Sequence, residues 1–161
     1  MPLKLDGYDR ALLAAIQEDA RLAQSDLGER VNLSTAAVNR RLKRLADAGV
    51  IEGYVARINP KALGHGLTLI VEVKVESERA DLLQAMQRGF NACPEVQQCY
   101  YVAGECDFVL IFLVPDMERY VALSRQLFHD DNNVKAFKTL VALDRIKTGM
   151  GVPIAGGGAG E

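Results

Sequence analysis

The sequence predicts an α+β protein: a helical first third followed by a βαββαβ remainder. Three observations carry this expectation. Apolar residues recur at helical spacing up to about residue 48, and alternate with a period of two beyond Gly66. Between the two regimes lies "NPKALGHG" (59–66), where Pro60, Gly64 and Gly66 interrupt any regular element. The reading therefore divides the chain into 1–58, a hinge at 59–66, a second domain at 67–154 and a glycine-rich tail at 155–161.

In the first domain, Asp6 stands where a helix N-cap belongs, and Asp9 three residues on favours the positive end of the helix. Leu12, Leu13 and Ile16 share a face with Asp9. "QSDLGERV" predicts a second, short helix that buries Leu27 and Val31. "NLS" reads as a turn, with Ser34 capping a third helix that runs to Ala48, where Gly49 ends it. "VIEGYVARI" has strand character and predicts a small hairpin or wing.

In the second domain, "LTLIVEVKV" puts Leu67, Leu69, Val71, Val73 and Val75 on one face, with Glu72 and Lys74 opposite. Leu82, Met86 and Phe90 mark a helix. "VQQCYYV" and "FVLIFLV" are strands joined by "AGECD", the second apolar on both sides. Residues 116–129 predict one helix burying Met117, Tyr120, Val121, Ser124, Leu127 and Phe128, and "VKAFKTLVAL" supplies a last strand. This order is that of a split-βαβ, ferredoxin-like sandwich. Two helices cover only one face of four strands, so the other face calls for a partner, most economically a second copy of the chain.

Composition narrows the function. Of 161 residues, 25% are charged and 49% apolar, ordinary values for a globular protein, and no apolar run is long enough to span a bilayer. "MPLKLDGYDR" lacks a signal-peptide core, so a cytoplasmic address is expected. Cys93, Cys99 and Cys106 form no CxxC pair, which argues against a disulfide framework or a zinc ribbon. No metal or cofactor is expected.

The net charge of −2 conceals one basic segment. "STAAVNRRLKRL" (34–45) holds four cations and no acid. At 100° per residue, Val38, Leu42 and Leu45 fall within about 60° of each other and form the buried stripe. Ala36, Arg40, Lys43 and Asp47 lie opposite, with Asn39 and Arg44 on the flanks. A solvated helix face also carries such charges. Here, two preceding helices and a polar turn make the segment the second helix of a helix-turn-helix, the one that enters the DNA major groove. Small residues permit close approach, Arg suits guanine, Asn suits adenine, and Lys reaches guanine or phosphate.

"LDGYDRALLAAIQEDAR", "LGERVNLSTAAVNRRLKRLADAGVIEGYVARINPKALG", "VAGECDFVLIF" and "IKTGMGVPI" together resemble the Lrp/AsnC (feast/famine) transcriptional regulators over nearly all of residues 4–154. The resemblance implies an N-terminal winged helix-turn-helix domain and a C-terminal RAM-type effector domain. It implies operator DNA, an amino acid or related metabolite as effector, and a homodimer that assembles to a tetramer or octamer. Ser34, Thr35, Ala36, Asn39, Arg40, Arg41, Lys43 and Arg44 would face DNA; Arg41, beside the apolar stripe, would reach a phosphate. The family's Gly-x-x-Asp effector loop maps to Gly104, Glu105, Cys106 and Asp107. There, backbone amides suit an α-carboxylate and Asp107 an ammonium group; a tight hairpin turn would also need Gly104. Many members have a larger residue at the position of Cys106, and a hydroxyl N-cap at that of Ala23.

Other classes fare worse. His65 and His129 are far apart and fit no catalytic or metal spacing. Sirohaem decarboxylases share the Lrp-like architecture, but the basic third helix has no evident use in porphyrin chemistry. "DFVLIFLV" lacks the glycine and basic residue of an RNA-binding RNP motif. Redox sensing by Cys106 or Cys99 finds no basic neighbour to activate a thiol.

Overall fold

A computed structural model describes residues 3–129 and 133–154; the predicted tail at 155–161 lies outside the described residues. The chain divides into two compact units. One is built from the chain up to Arg57 and again from Gly149 onward, the other from Ile58–Thr148.

The first unit contains α1 (Gly7–Glu18), α2 (Gln24–Val31) and α3 (Thr35–Asp47). Asp6 and Asp9 form a capping box on α1: the Asp9 N–H donates to Asp6 Oδ1 at 2.8 Å and the Asp6 N–H to Asp9 Oδ2 at 3.1 Å. Leu12, Ala15, Leu27, Val31 and Val38 pack into one apolar cluster, with Ile16 and Leu42 at its edge. The turn between α2 and α3 begins at Asn32, in the left-handed region at φ 55°. A Cβ at Gly28 would lie 2.5 Å from the Leu33 carbonyl oxygen, so only glycine lets the turn fold this closely onto α2. Ser34 caps α3, and Gly49, at φ 69°, follows its end.

Residues 149–154, which the period-two reading places in the second domain, instead join this helical unit. The Gln17 side-chain amide mimics a strand edge there, donating to the Val152 carbonyl and accepting from the Val152 N–H, both at 2.9 Å. The strand expected in "VIEGYVARI" does not form: these residues pair with no strand among those described, and Tyr54, Val55 and Ile58 are exposed. Alternation supplies one side of a ladder, but a strand also requires a neighbour to bond.

The second unit opens with a short 3-10 turn, Pro60–Leu63, capped by Asn59 and closed by Gly64, so part of the expected hinge is ordered. β1 (Leu67–Val75), α4 (Ala80–Ala92), β2 (Val96–Tyr101), β3 (Phe108–Val114), α5 (Met117–Ser124) and β4 (Val134–Val141) follow. The sheet is antiparallel throughout, in the order β2-β3-β1-β4, the ferredoxin-like arrangement. Leu69, Val71, Val73, Phe108, Leu110, Phe112 and Val114 point to the helix-covered face and are fully buried against Met86, Phe90, Leu123 and Phe128.

The last helix departs from expectation. After Ser124 it widens into a π turn, Arg125–His129, in which Leu127 and Phe128 are buried. Leu123 is buried, whereas Met117 and Val121, expected inside, are 45% and 42% exposed. Among the described residues of this unit, no helix covers the sheet's other face. Ile70 lies between Ile111 and Leu140 in register, with Val109 and Leu113 alongside on β3.

Candidate nucleic-acid interface and effector loop

On α3, Ser34, Thr35, Ala36, Asn39, Arg40, Lys43 and Arg44 are exposed, while Val38 and Leu45 are fully buried. The Ser34 hydroxyl accepts from the Ala37 N–H at 3.3 Å, so this side chain serves as the helix cap. Arg40, Lys43 and Arg44 line a shallow surface groove with Asp47 and Ala48, and Arg40 and Lys43 have no ion-pair partner among the described residues.

Arg41 and Arg44 behave differently, since each has carboxylate partners within the helical unit. Arg41 Nη1 donates to Asp6 Oδ2 at 2.7 Å and to Asp9 Oδ1 at 2.8 Å. Its guanidinium also lies 5.3 Å from the centre of the Tyr8 ring, within cation–π range. Arg44 Nη2 donates to Asp9 Oδ2 at 2.5 Å. The Asp9 side chain is 0% exposed, and both its oxygens are engaged. Two of the four cations therefore bind α1. The wheel placed Arg41 beside the apolar stripe and Arg44 on the flank of the outward face, but could not show which helix they would meet. The available signal was Asp9, an acid on the apolar face of α1, which needs a cation if buried.

The electrostatics agree with the geometry. The hydrogen bond from the Asp9 N–H, followed by the Arg41 guanidinium, holds the Asp6 carboxyl below the usual carboxylate range. Hydrogen bonds to Asp6 and Asp9 raise Arg41 further.

The second predicted site is the loop between β2 and β3. Val102 N–H donates to the Asp107 carbonyl at 2.8 Å and Asp107 N–H to the Val73 carbonyl at 2.9 Å, closing a compact turn. Gly104 and Glu105 are exposed, and Cys106 and Asp107 half-buried. Gly104 has φ 157°, and a Cβ built there would meet nothing within 4 Å, so open space adjoins the loop. Asp107 Oδ2 accepts from the Val75 N–H at 2.7 Å. The β1–β4 register shifts between Lys74 and Val75, and this bond satisfies the backbone group beside the irregularity. Asp107 thus has a structural task that the sequence did not reveal, and its Oδ1 has no partner among the described residues.

The thiols are quiet. Burial pushes Cys93 and Cys99 up, Cys93 foremost by desolvation against its backbone hydrogen bonds. Among the described residues there is no group of three or more His, Cys, Asp or Glu side chains arranged to hold a metal, and no helix long and apolar enough to cross a membrane.

A cation-bearing second helix across a tight turn, with a separate sheet unit that carries a glycine loop, defines a helix-turn-helix DNA-binding regulator with its own ligand-binding domain. Comparison with known proteins agrees. Residues 5–52 match the winged helix-turn-helix DNA-binding family and residues 68–152 the Lrp/AsnC ligand binding domain. An uncharacterized HTH-type transcriptional regulator of Sinorhizobium fredii is 43% identical over 152 residues, covering 94% of this chain and 90% of its own. The leucine-responsive regulatory protein of Escherichia coli is 32% identical over 143 residues, 89% of this chain and 87% of its own. A solved transcriptional regulator of Neisseria meningitidis, in complex with L-methionine, superposes with a TM-score of 0.87 at 29% identity, covering 94% of this chain and 98% of that one. The chain belongs to the Lrp/AsnC family of transcriptional regulators. These relatives lend no support to the sirohaem-decarboxylase alternative.

Proposed function

We propose that two copies of this chain read a pseudo-palindromic operator through paired α3 helices, and that an amino acid bound at the 104–107 loop alters the assembly or the spacing of the readers. The observation that carries the reading is the outer face of α3, where Arg40 and Lys43 stand exposed beside Ala36 and Asn39, on a helix whose other face is pinned to the core. In this reading Arg40 meets a guanine, Asn39 an adenine, and Lys43 a guanine or a phosphate, while Ser34 and Thr35 approach the backbone at the helix N-terminus. Arg41 and Arg44 are no longer assigned to DNA.

For the effector, free amides at Gly104, Glu105 and Cys106 take the carboxylate and Asp107 Oδ1 the ammonium group. The L-methionine complex of the Neisseria relative and the name of the leucine-responsive relative favour an amino acid. Dimerisation, with further assembly to a tetramer or octamer, rests on the uncovered sheet face around Ile70, Ile111 and Leu140.

The test is selection of bound duplexes from a random pool by the full-length chain, followed by titration of the twenty amino acids into the resulting complex. The reading expects an enriched pseudo-palindrome with half-sites about one helical turn apart. It also expects at least one amino acid to shift the binding curve. A pool that does not enrich contradicts it.

A further inference from the structure

The basic segment of α3 carries four cations, yet the structure divides them evenly. Arg40 and Lys43 face solvent, whereas Arg41 and Arg44 are bonded to a fully buried carboxylate. We propose that Asp9, supported by Asp6, is a specificity-setting residue that holds Arg41 and Arg44 off the DNA backbone, leaving Arg40 and Lys43 as the cations of α3 that engage DNA. The proposal rests on the DNA-binding reading above and adds to it which charges count.

The argument is one of competition. Every cation that meets a phosphate strengthens binding to any duplex alike, because the released counterions carry no sequence information. Four free cations on one helix would raise sequence-independent affinity and shrink the margin of the correct site over the rest of the genome. Arg44 gives Nη2 to Asp9 at 2.5 Å, and Arg41 gives Nη1 to two carboxylates at 2.7 and 2.8 Å, so drawing either guanidinium outward onto the DNA backbone would break those bonds. Either step strips a cation from a carboxylate that water does not reach, which is strongly unfavourable. Arg41, held twice and lying beside Tyr8 with its side chain 21% exposed, is the more firmly withdrawn. Arg44, with one bond and a side chain 45% exposed, is the one that would move first.

A purely structural role for the cluster, in which it only pins α1 to α3, predicts something different, and the dependence of binding on salt separates the two. The full-length chain is titrated against a random-sequence duplex across a range of KCl, and against an operator selected as above. Log affinity against log salt falls by about 0.9 for each phosphate contact. Per subunit, Lys43→Gln, chosen as a phosphate-contact reference, should flatten that slope by about 0.9, whereas Arg44→Gln should leave it unchanged. Asp9→Asn should steepen it by about 0.9 for each arginine released and raise random-duplex affinity more than operator affinity. Adding Arg44→Gln to Asp9→Asn should take back one such step. Glu29→Gln, on the exposed surface of α2, removes the same charge without releasing a cation and sets the background.

Three results would overturn the proposal. Arg44→Gln could flatten the slope as Lys43→Gln does, a folded Asp9→Asn could match Glu29→Gln, or the added Arg44→Gln could fail to reverse the change. If Asp9→Asn does not fold, the comparison of Arg44→Gln with Lys43→Gln still decides, since Arg44 is half-exposed. Failure of the unmodified chain to bind DNA at any salt overturns the functional reading itself, and this proposal with it.

Discussion

In the helical unit, a small cluster of aliphatic side chains lies beside a buried carboxylate that ties α1 to α3 through two arginines. In the sheet unit, Phe90, Phe108, Phe112 and Phe128 interlock edge to face, Phe90 and Phe108 at 5.4 Å between centres and Phe112 and Phe128 at 6.2 Å. The smaller unit lacks the apolar area to hold three helices firmly by burial alone, and adds ion pairs. The larger unit has that area. Charge responds to pH, salt and neighbouring phosphates, whereas aromatic packing responds mainly to volume. The comparison implies that the DNA reader is the condition-sensitive part and the sheet the steady one.

The contrast breaks most visibly in the sheet. Phe112→Ala removes a fully buried ring and should cost about 3–5 kcal/mol in urea denaturation, with no dependence on salt. Asp9→Ala leaves Arg41 and Arg44 facing a void. Because both arginines keep partial access to water, the loss should be smaller, up to about 3 kcal/mol, and should vary with salt. Equal salt dependence in the two variants would erase the distinction between the units.

Gly28→Ala comes next. Its methyl would sit 2.5 Å from the Leu33 carbonyl oxygen, so the α2–α3 turn must open, at about 1–3 kcal/mol. Operator affinity should fall by more than stability alone explains, because α3 is re-aimed, and titration of the folded variant checks this.

Acid sharpens the comparison. The folded Asp6 carboxyl titrates below its unfolded value, so its contribution is fully present above the unfolded value and is lost as pH falls through the folded one. The helical unit should therefore weaken below about pH 4, and Asp6→Asn should flatten that limb of a stability-against-pH curve. The smallest effect is a gain. Ala23 caps α2 with no side-chain bond, and Ala23→Ser should stabilise the chain by about 1 kcal/mol in the same denaturation assay.

Much of this was legible in the sequence, and what was not legible shares a cause. The caps at Asp6, Ser34 and Gly49, the faces of β1 and the split-βαβ order follow from local spacing, and local spacing is what a sequence displays. Arg41, Arg44 and Asp107 were each assigned to a ligand by the face or loop they occupy. Their partners are Asp9, more than thirty residues away from either arginine, and the Val75 N–H beside a register shift, neither of which periodicity can reveal. The unpaired "VIEGYVARI" segment fails for the same reason, since a strand is defined by a neighbour. The π turn Arg125–His129 carries two core residues, Leu127 and Phe128, and no local spacing marks it. Only Asp9 left a local trace, as an acid in line with Leu12 and Ile16.

The most direct test of the reader is Arg40→Ala, titrated against the selected operator and against a scrambled duplex of the same composition, with the oligomeric state followed by sedimentation. The account predicts an unchanged assembly and a loss on the operator that exceeds the loss on the scrambled duplex by about 1–3 kcal/mol, concentrated at one base-pair position. Equal losses on both duplexes, or none on either, would contradict it.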